Sequence, residues 1–143
     1  MSMSENKGIV LHGWYEELWN KWNVSAADEL FASDYVLHLS GVPAPVNRET
    51  AKQIVTMFSA AFPDLQHTVD EMIADGDTVA ARWTVRGTHR GDFQGIAPTE
   101  KQVTLSGTTV HHMAAGRITE TWLTLDNLEL LQQLGAVPQA SEV

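Results

Sequence analysis

Apolar positions recur along this chain with two periods, and the period changes once. From Glu5 to Asn23 the spacing is helical: Leu11, Trp14, Tyr15, Leu18 and Trp22 fall at i, i+3, i+4, i+7 and i+11, a single face. Ser25, with Asp28 three residues on, opens a short second helix. Tyr35 to Leu39 is a short β-prone run, and Gly41, Pro43 and Pro45 interrupt regular structure after it. Asn47 can cap a third helix reaching about Phe62, with Ala51, Ile54, Val55, Phe58 and Phe62 as its stripe; Pro63 ends it.

Beyond Pro63 the period becomes two. Leu65–Ala74 reads as a strand, and Asp75, Gly76 and Asp77 as a tight turn. In the strand Thr78–Arg90, Val79, Ala81, Trp83 and Val85 share one face, while Arg82, Thr84, Arg86 and Thr88 share the other. A loop, Gly91–Lys101, leads to the strand Val103–Met113, where Gly107, Thr109 and His111 share an otherwise apolar row with Val103, Leu105 and Met113. After a turn at Ala115 and Gly116, a strand from Arg117 to about Leu125 places Glu120 and Trp122 opposite Thr121 and Leu123. Asp126 and Glu129 have capping-box spacing before a last helix, Asn127–Leu134, which Gly135 terminates. Helices first and strands afterwards define an α+β layout. The expected fold is a curved antiparallel sheet wrapped around the N-terminal helices, a cone-shaped barrel with an interior pocket. It forms a single domain over residues 1–143, with its core at about 8–135 and short flexible termini.

Composition narrows the function classes. Hydrophobic residues at 43% and charged residues at 19% suit one packed core rather than disorder. The net charge of −9 opposes nucleic-acid binding, and no long apolar run suggests a membrane segment. No cysteine is present, which excludes disulfides, thiolate catalysis and cysteine-ligated metal. The start MSMSENKG lacks a basic, then apolar, leader, so a cytoplasmic protein is expected. Six histidines give no i, i+4 ligand pair, and His111 and His112 point to opposite faces, so no metal site is expected.

His111 is the leading chemical candidate. A neutral imidazole takes or gives a proton near neutral pH, and its apolar row resembles the wall of a small-molecule pocket. The plain alternative is a core histidine bonded to a backbone carbonyl. Trp14, Trp83 and Phe58 can line a cavity and stack on a flat polycyclic ligand, or serve as core. Trp122 is assigned to the outer sheet face, as a subunit contact, and Trp19 lies off the helix stripe, where it can also meet a partner. Asp126 reads as a helix cap, Glu120 as an outer-face partner of Arg82 or Arg86, and His89 as a bond to its loop. The faces of His67 and His112 are unassigned.

Several segments carry a family resemblance: Gly76-Asp77, Arg82-Trp83-Thr84, Gly87-Thr88-His89, Phe93, Gly95-Ile96, Pro98-Thr99 and the ending Gly116-Arg117-Ile118, Glu120, Trp122, Asp126, Leu130 to Gly135. Over roughly residues 10 to 135 the chain resembles the SnoaL-like polyketide cyclases, or ester cyclases. The resemblance implies the nuclear-transport-factor-like cone fold and a homodimer or higher homo-oligomer. It also implies metal-free and cofactor-free chemistry on a hydrophobic, oxygenated, polyketide-like substrate: cyclisation or isomerisation, with hydroxylation in related members. Such cyclases carry an acid/base aspartate on the last strand, and Leu123 stands at that position here; Thr121 stands at the histidine position before it. The family's histidine after the first strand's tyrosine is matched by His38 after Tyr35. The expected site is therefore His111 with His38 as proton handlers from opposite walls. Thr109 and Thr121 supply hydroxyls, and Trp14, Tyr35, Phe58, Trp83 and Leu123 shape the pocket. A non-catalytic carrier of a lipophilic metabolite is the competing reading, and a filled structural cone the third.

Overall fold

The computed structural model describes residues 2–137; Met1 and residues 138–143, the expected flexible ends, lie outside them. Helix α1 (Met3–Ile9) starts at a reciprocal cap in which Glu5 N–H donates to Ser2 Oγ and Ser2 N–H donates to Glu5 Oε1. The chain then widens into a π-helical segment, Val10–Asn20. Its buried residues are Val10, Trp14, Tyr15, Leu18 and Trp19, spaced by four and five. Bonds closed over five residues advance each side chain by less than an α-helical step, so the inward face shifts. This corrects the expected stripe: Leu11 and Trp22 are exposed, whereas Trp19, expected off the stripe, is only 6% exposed.

A turn of 3₁₀ helix (Val24–Ala26) and α2 (Ala27–Leu30) lead into β1 (Phe31–Leu39) and the two-residue β2 (Val46–Asn47). Helix α3 (Arg48–Ala61) is capped by the Asn47 side chain, which accepts from Thr50 N–H at 2.9 Å. Then come β3 (Gln66–Asp75), β4 (Thr78–Thr88), β5 (Gln102–Ala114), β6 (Arg117–Leu125) and α4 (Asn127–Gln133). Asp126 caps α4 by accepting from Glu129 N–H at 2.9 Å, and Gly135, at φ +78°, follows its end.

The six strands form one curved sheet in the order β2-β1-β6-β5-β4-β3, open between its edges β2 and β3. The β3-to-β6 meander is antiparallel, as expected; β1, however, runs parallel to β6. The long excursion through α3 and the meander permits this, since parallel neighbours need a long crossover. Register shifts at Phe31/Val36, Val69/Glu71 and His112/Met113 interrupt three of the ladders. Such irregularities bend strands and increase their twist.

One face of the sheet is sealed by the helices. Val79, Ala81, Trp83 and Val85 of β4, together with Val103, Leu105, Thr109, His111 and Met113 of β5, are all buried. On β6 the inward set is Ile118, Thr121, Leu123 and Leu125. The alternation read from the sequence therefore sets which side chains face the interior. Among the described residues no helix is long and apolar enough to cross a membrane.

Candidate active site

The concave sheet face and the helices against it leave a cavity of ≈ 50 Å³, room for about four waters. Its wall draws on nearly every element: Trp14 and Trp19 from the π-helical segment, Phe58 from α3, His67 from β3, Trp83 from β4 and Leu123 from β6. The rings are in contact: Trp14–Trp19 at 6.2 Å between centroids, Trp19–Phe58 at 5.9 Å, Trp19–His67 at 5.3 Å and His67–Trp83 at 4.9 Å. Tilted and edge-on geometries dominate, as aromatic quadrupoles favour.

Among the described residues, His67 is the one titratable side chain in this wall. Asn20, at the end of the π-helical segment, clamps its backbone: Asn20 Oδ1 accepts from His67 N–H at 2.7 Å, and Asn20 Nδ2 donates to the His67 carbonyl at 3.1 Å. The clamp ties β3 to the N-terminal helix. Burial lowers the His67 pKa to about 3, so the ring is neutral at physiological pH. Its Nδ1 has no partner, nor do the Nε1 atoms of Trp19 and Trp83. An unsatisfied buried polar atom costs about 1–3 kcal/mol. Three of them belong to residues around one cavity, whose remaining lining is almost wholly apolar.

The sequence-expected site divides into three groups. Trp14, Phe58, Trp83 and Leu123 line the cavity as expected. His111, Thr109, Thr121 and Tyr35 do not belong to the wall; they are fully buried behind it. His111 Nδ1 lies 2.8 Å from Thr121 Oγ1, and its ring stands edge-on to Trp14 at 4.7 Å. Tyr15 Oη lies 2.8 Å from Thr109 Oγ1, while Tyr35 stacks on Phe31 at 3.8 Å. Burial lowers the His111 pKa to about 3 and raises the Tyr15 and Tyr35 phenols. In this layer Tyr15, Thr109, Thr121 and His111 Nδ1 are paired, whereas His111 Nε2 and Tyr35 Oη are buried without a partner.

His38 forms the third group and requires a correction. It lies on the outer sheet face, not across the cavity from His111. Its Nε2 is 2.6 Å from Glu120 Oε2, and its ring stacks on Trp122 at 4.9 Å. Leu37 and Leu39 on either side of it point into the cavity, so strand alternation turns His38 away. Glu120 is on the outer face as expected, but His38 is its partner; Arg82 instead pairs with Asp70 and Glu71. His89 meets Thr99 of its loop at 3.0 Å. Among the described residues no three His, Asp or Glu side chains converge as metal ligands.

Trp19 and His67 are the two nitrogen-bearing wall residues that lie outside the site expected from the sequence. The π-helical pitch hid Trp19. For His67 a signal existed, since it alternates with buried Leu65 on one side and half-buried Val69 on the other.

Comparison with known proteins defines the class. The family model for SnoaL-like polyketide cyclases matches residues 9–134. AclR of Streptomyces galilaeus, described as a candidate hydroxylase, is 30% identical, with a TM-score of 0.87 over 99% of this chain and 87% of its own. IdmH of Streptomyces antibioticus, a candidate polyketide cyclase, is 33% identical, with a TM-score of 0.80 over 91% of this chain and 98% of its own. A candidate polyketide cyclase from Acidithiobacillus ferrooxidans is 35% identical, with a TM-score of 0.82 over 95% and 99%. No curated protein sequence matches. The chain belongs to the SnoaL-like polyketide cyclase family.

Proposed function

We propose that this protein is a cofactor-independent enzyme that takes a flat, hydrophobic, oxygenated substrate of polyketide type into the cavity and moves a proton on it, leading to cyclisation or isomerisation. The observation that carries this reading is a neutral imidazole, His67, set in an otherwise apolar wall. A neutral imidazole offers one donor and one acceptor nitrogen, so it can hand on a proton without ever carrying a buried charge. Enolisation next to a carbonyl needs both functions, a proton acceptor for the C–H and a donor for the developing oxyanion. His111, expected from the sequence to do this work, is better placed to hold the wall through Trp14. With Leu123 at the aspartate position implied by the family, no carboxylate among the described residues lines the cavity.

Deuterium exchange tests this reading without knowledge of the natural substrate. In D₂O the protein is expected to accelerate exchange of the α-hydrogens of 2-indanone above the buffer rate, followed by proton NMR. His67→Phe should abolish the acceleration. A ketone that binds but exchanges no faster than in buffer would reject proton transfer and leave a binding protein. Hydroxylation is the second reading, and it is favoured by the likeness to AclR.

The same reading includes a cytoplasmic homodimer or higher homo-oligomer formed through the outer sheet face. Its support is the Trp122 indole, 36% exposed, which stacks on His38 and meets His112 edge-on at 4.7 Å. Trp122→Glu should shift the sedimentation coefficient to that of a monomer; an unchanged coefficient would place the contact elsewhere or remove it.

A further inference from the structure

We propose that helix α4 is a hinged lid over the cavity, latched by Gln133, and that it swings out to admit the ligand. This rests on the reading that a small molecule occupies the interior, and it names the part of the wall that moves. The hollow of ≈ 50 Å³ is smaller than the apolar cavity of about 150 Å³ that holds one benzene ring. A flat polycyclic frame therefore enters only if the wall yields. Much of that wall is fastened. The strands are held in their ladders, and Asn20 clamps the π-helical segment to β3. At the end of α3 the Ala61 carbonyl accepts from the N–H groups of Arg90 and Gly91, at 3.0 and 3.1 Å.

Helix α4 is fastened differently at its two ends. At its start Asn127 Nδ2 donates to the Ser40 carbonyl at 3.0 Å, and Ser40 Oγ donates to the Leu125 carbonyl and accepts from Leu125 N–H, both at 2.9 Å. This end continues from β6 and is the hinge, where a few backbone angles at an element's end absorb the motion. At the far end Gln133 Oε1 accepts from Thr104 N–H and Gln133 Nε2 donates to the Thr104 carbonyl, both at 2.9 Å; Nε2 also donates to Glu129 Oε1. The last β5–β6 pair joins Gly107 to Leu125, so the Gln133 amide stands beside Thr104 where a strand has ended. When this latch opens, water meets the same N–H and C=O, and no backbone group is left unpaired. On the underside Leu130 lines the cavity, and Leu130 and Leu134 are each 2% exposed. Their burial keeps the lid shut at rest, and swinging Leu130 outward breaches the wall.

The kinetics of 2-indanone binding, followed by stopped-flow tryptophan fluorescence, test the lid through Gln133→Ala. A latch sets how often the way in is open and how often the way out is open, but not how well the ligand sits once inside. The variant should therefore speed association and dissociation together, each about tenfold, the effect of one or two net hydrogen bonds, while the dissociation constant stays within about twofold. A contact that merely supported the wall would weaken the affinity instead. Amide exchange in the protein without ketone gives a second reading: Thr104 N–H, bonded to the latch, should exchange at least tenfold faster than the N–H groups of Val79 and Ala81 in β4, since it opens without unfolding the sheet. Unchanged association and dissociation rates in Gln133→Ala, or Thr104 N–H as slow as β4, would overturn the lid and leave the interior as a binding site. No fluorescence change at any ketone concentration would remove the occupied interior and the lid with it.

Discussion

Gly107→Ala should cost about 3 kcal/mol of folding stability, at the upper end for an overpacked core site. Gly107 of β5 pairs across the ladder with Trp83 of β4 and, on its other side, with Leu125 of β6. The Trp83 indole lies over the glycine. A methyl group there would sit 2.5 Å from Trp83 Cζ2 and 2.7 Å from the backbone oxygen of Thr124. The ring can move, but the carbonyl is fixed by the sheet. Relief therefore means driving Trp83 off its place in the cavity wall, against Trp14, Phe58 and His67 packed around the same hollow. Urea unfolding should show the lower midpoint, and near-ultraviolet circular dichroism should show a loss of the Trp83 signal. Adding Trp83→Leu should restore only the part due to the ring. An alanine variant as stable as the parent would mean that Trp83 does not cross Gly107.

The second large effect is loss of stability in mild acid. His67 and His111 both have pKa values lowered to about 3 by burial, whereas an unfolded histidine titrates near 6.5. Below about 6.5 the unfolded chain takes up protons that the folded chain refuses, so protonation favours unfolding. The stabilisation is complete above the unfolded value. It declines as pH falls from about 6.5 towards 3, by about 1.4 kcal/mol per pH unit for each histidine, near 3 for the pair. Urea unfolding at pH 7.5, 6, 5 and 4.5 measures the slope, to which carboxylates also contribute. His67→Phe and His111→Leu isolate the histidine share: each should flatten the slope by about 1.4 kcal/mol per unit, whatever its effect on absolute stability. Unaltered slopes in both variants would show that these rings are charged in the folded protein.

Much of the fold was legible because the sheet reports itself with a period of two. The inward rows of β4 and β5 are where Val79 to Val85 and Val103 to Met113 alternate, and the caps at Asn47 and Asp126 bond as their side chains allow. The N-terminal helix was less legible. Its π-helical pitch moved Trp19 inward and Trp22 outward, and a window read at 3.6 residues per turn cannot show that shift. The parallel β1–β6 pairing depends on where a long excursion returns, which no local pattern encodes.

The candidate site was legible in its apolar wall more than in its chemistry. His38 and Tyr35 are three residues apart, so a regular strand places them on opposite faces, whereas the family resemblance implies a shared site. His111 does face inward, but alternation gives only a direction. The Trp14 ring between it and the cavity is a matter of tertiary packing. His67 was within reach of the period-two argument from Leu65 and Val69, yet β3 is an edge strand with a register shift at Val69/Glu71, which blurs its alternation.

Whether a small molecule enters the hollow can be measured directly through nuclear Overhauser contacts between 2-indanone and a methyl-labelled protein. The contacts should run from the ketone to Ile54, Val85, Leu105 and Leu123, methyls from α3, β4, β5 and β6 that line the cavity, and should spare Ile73, exposed on β3. Contacts confined to Ile73 or other surface methyls, or none at concentrations where the ketone binds, would contradict an occupied interior.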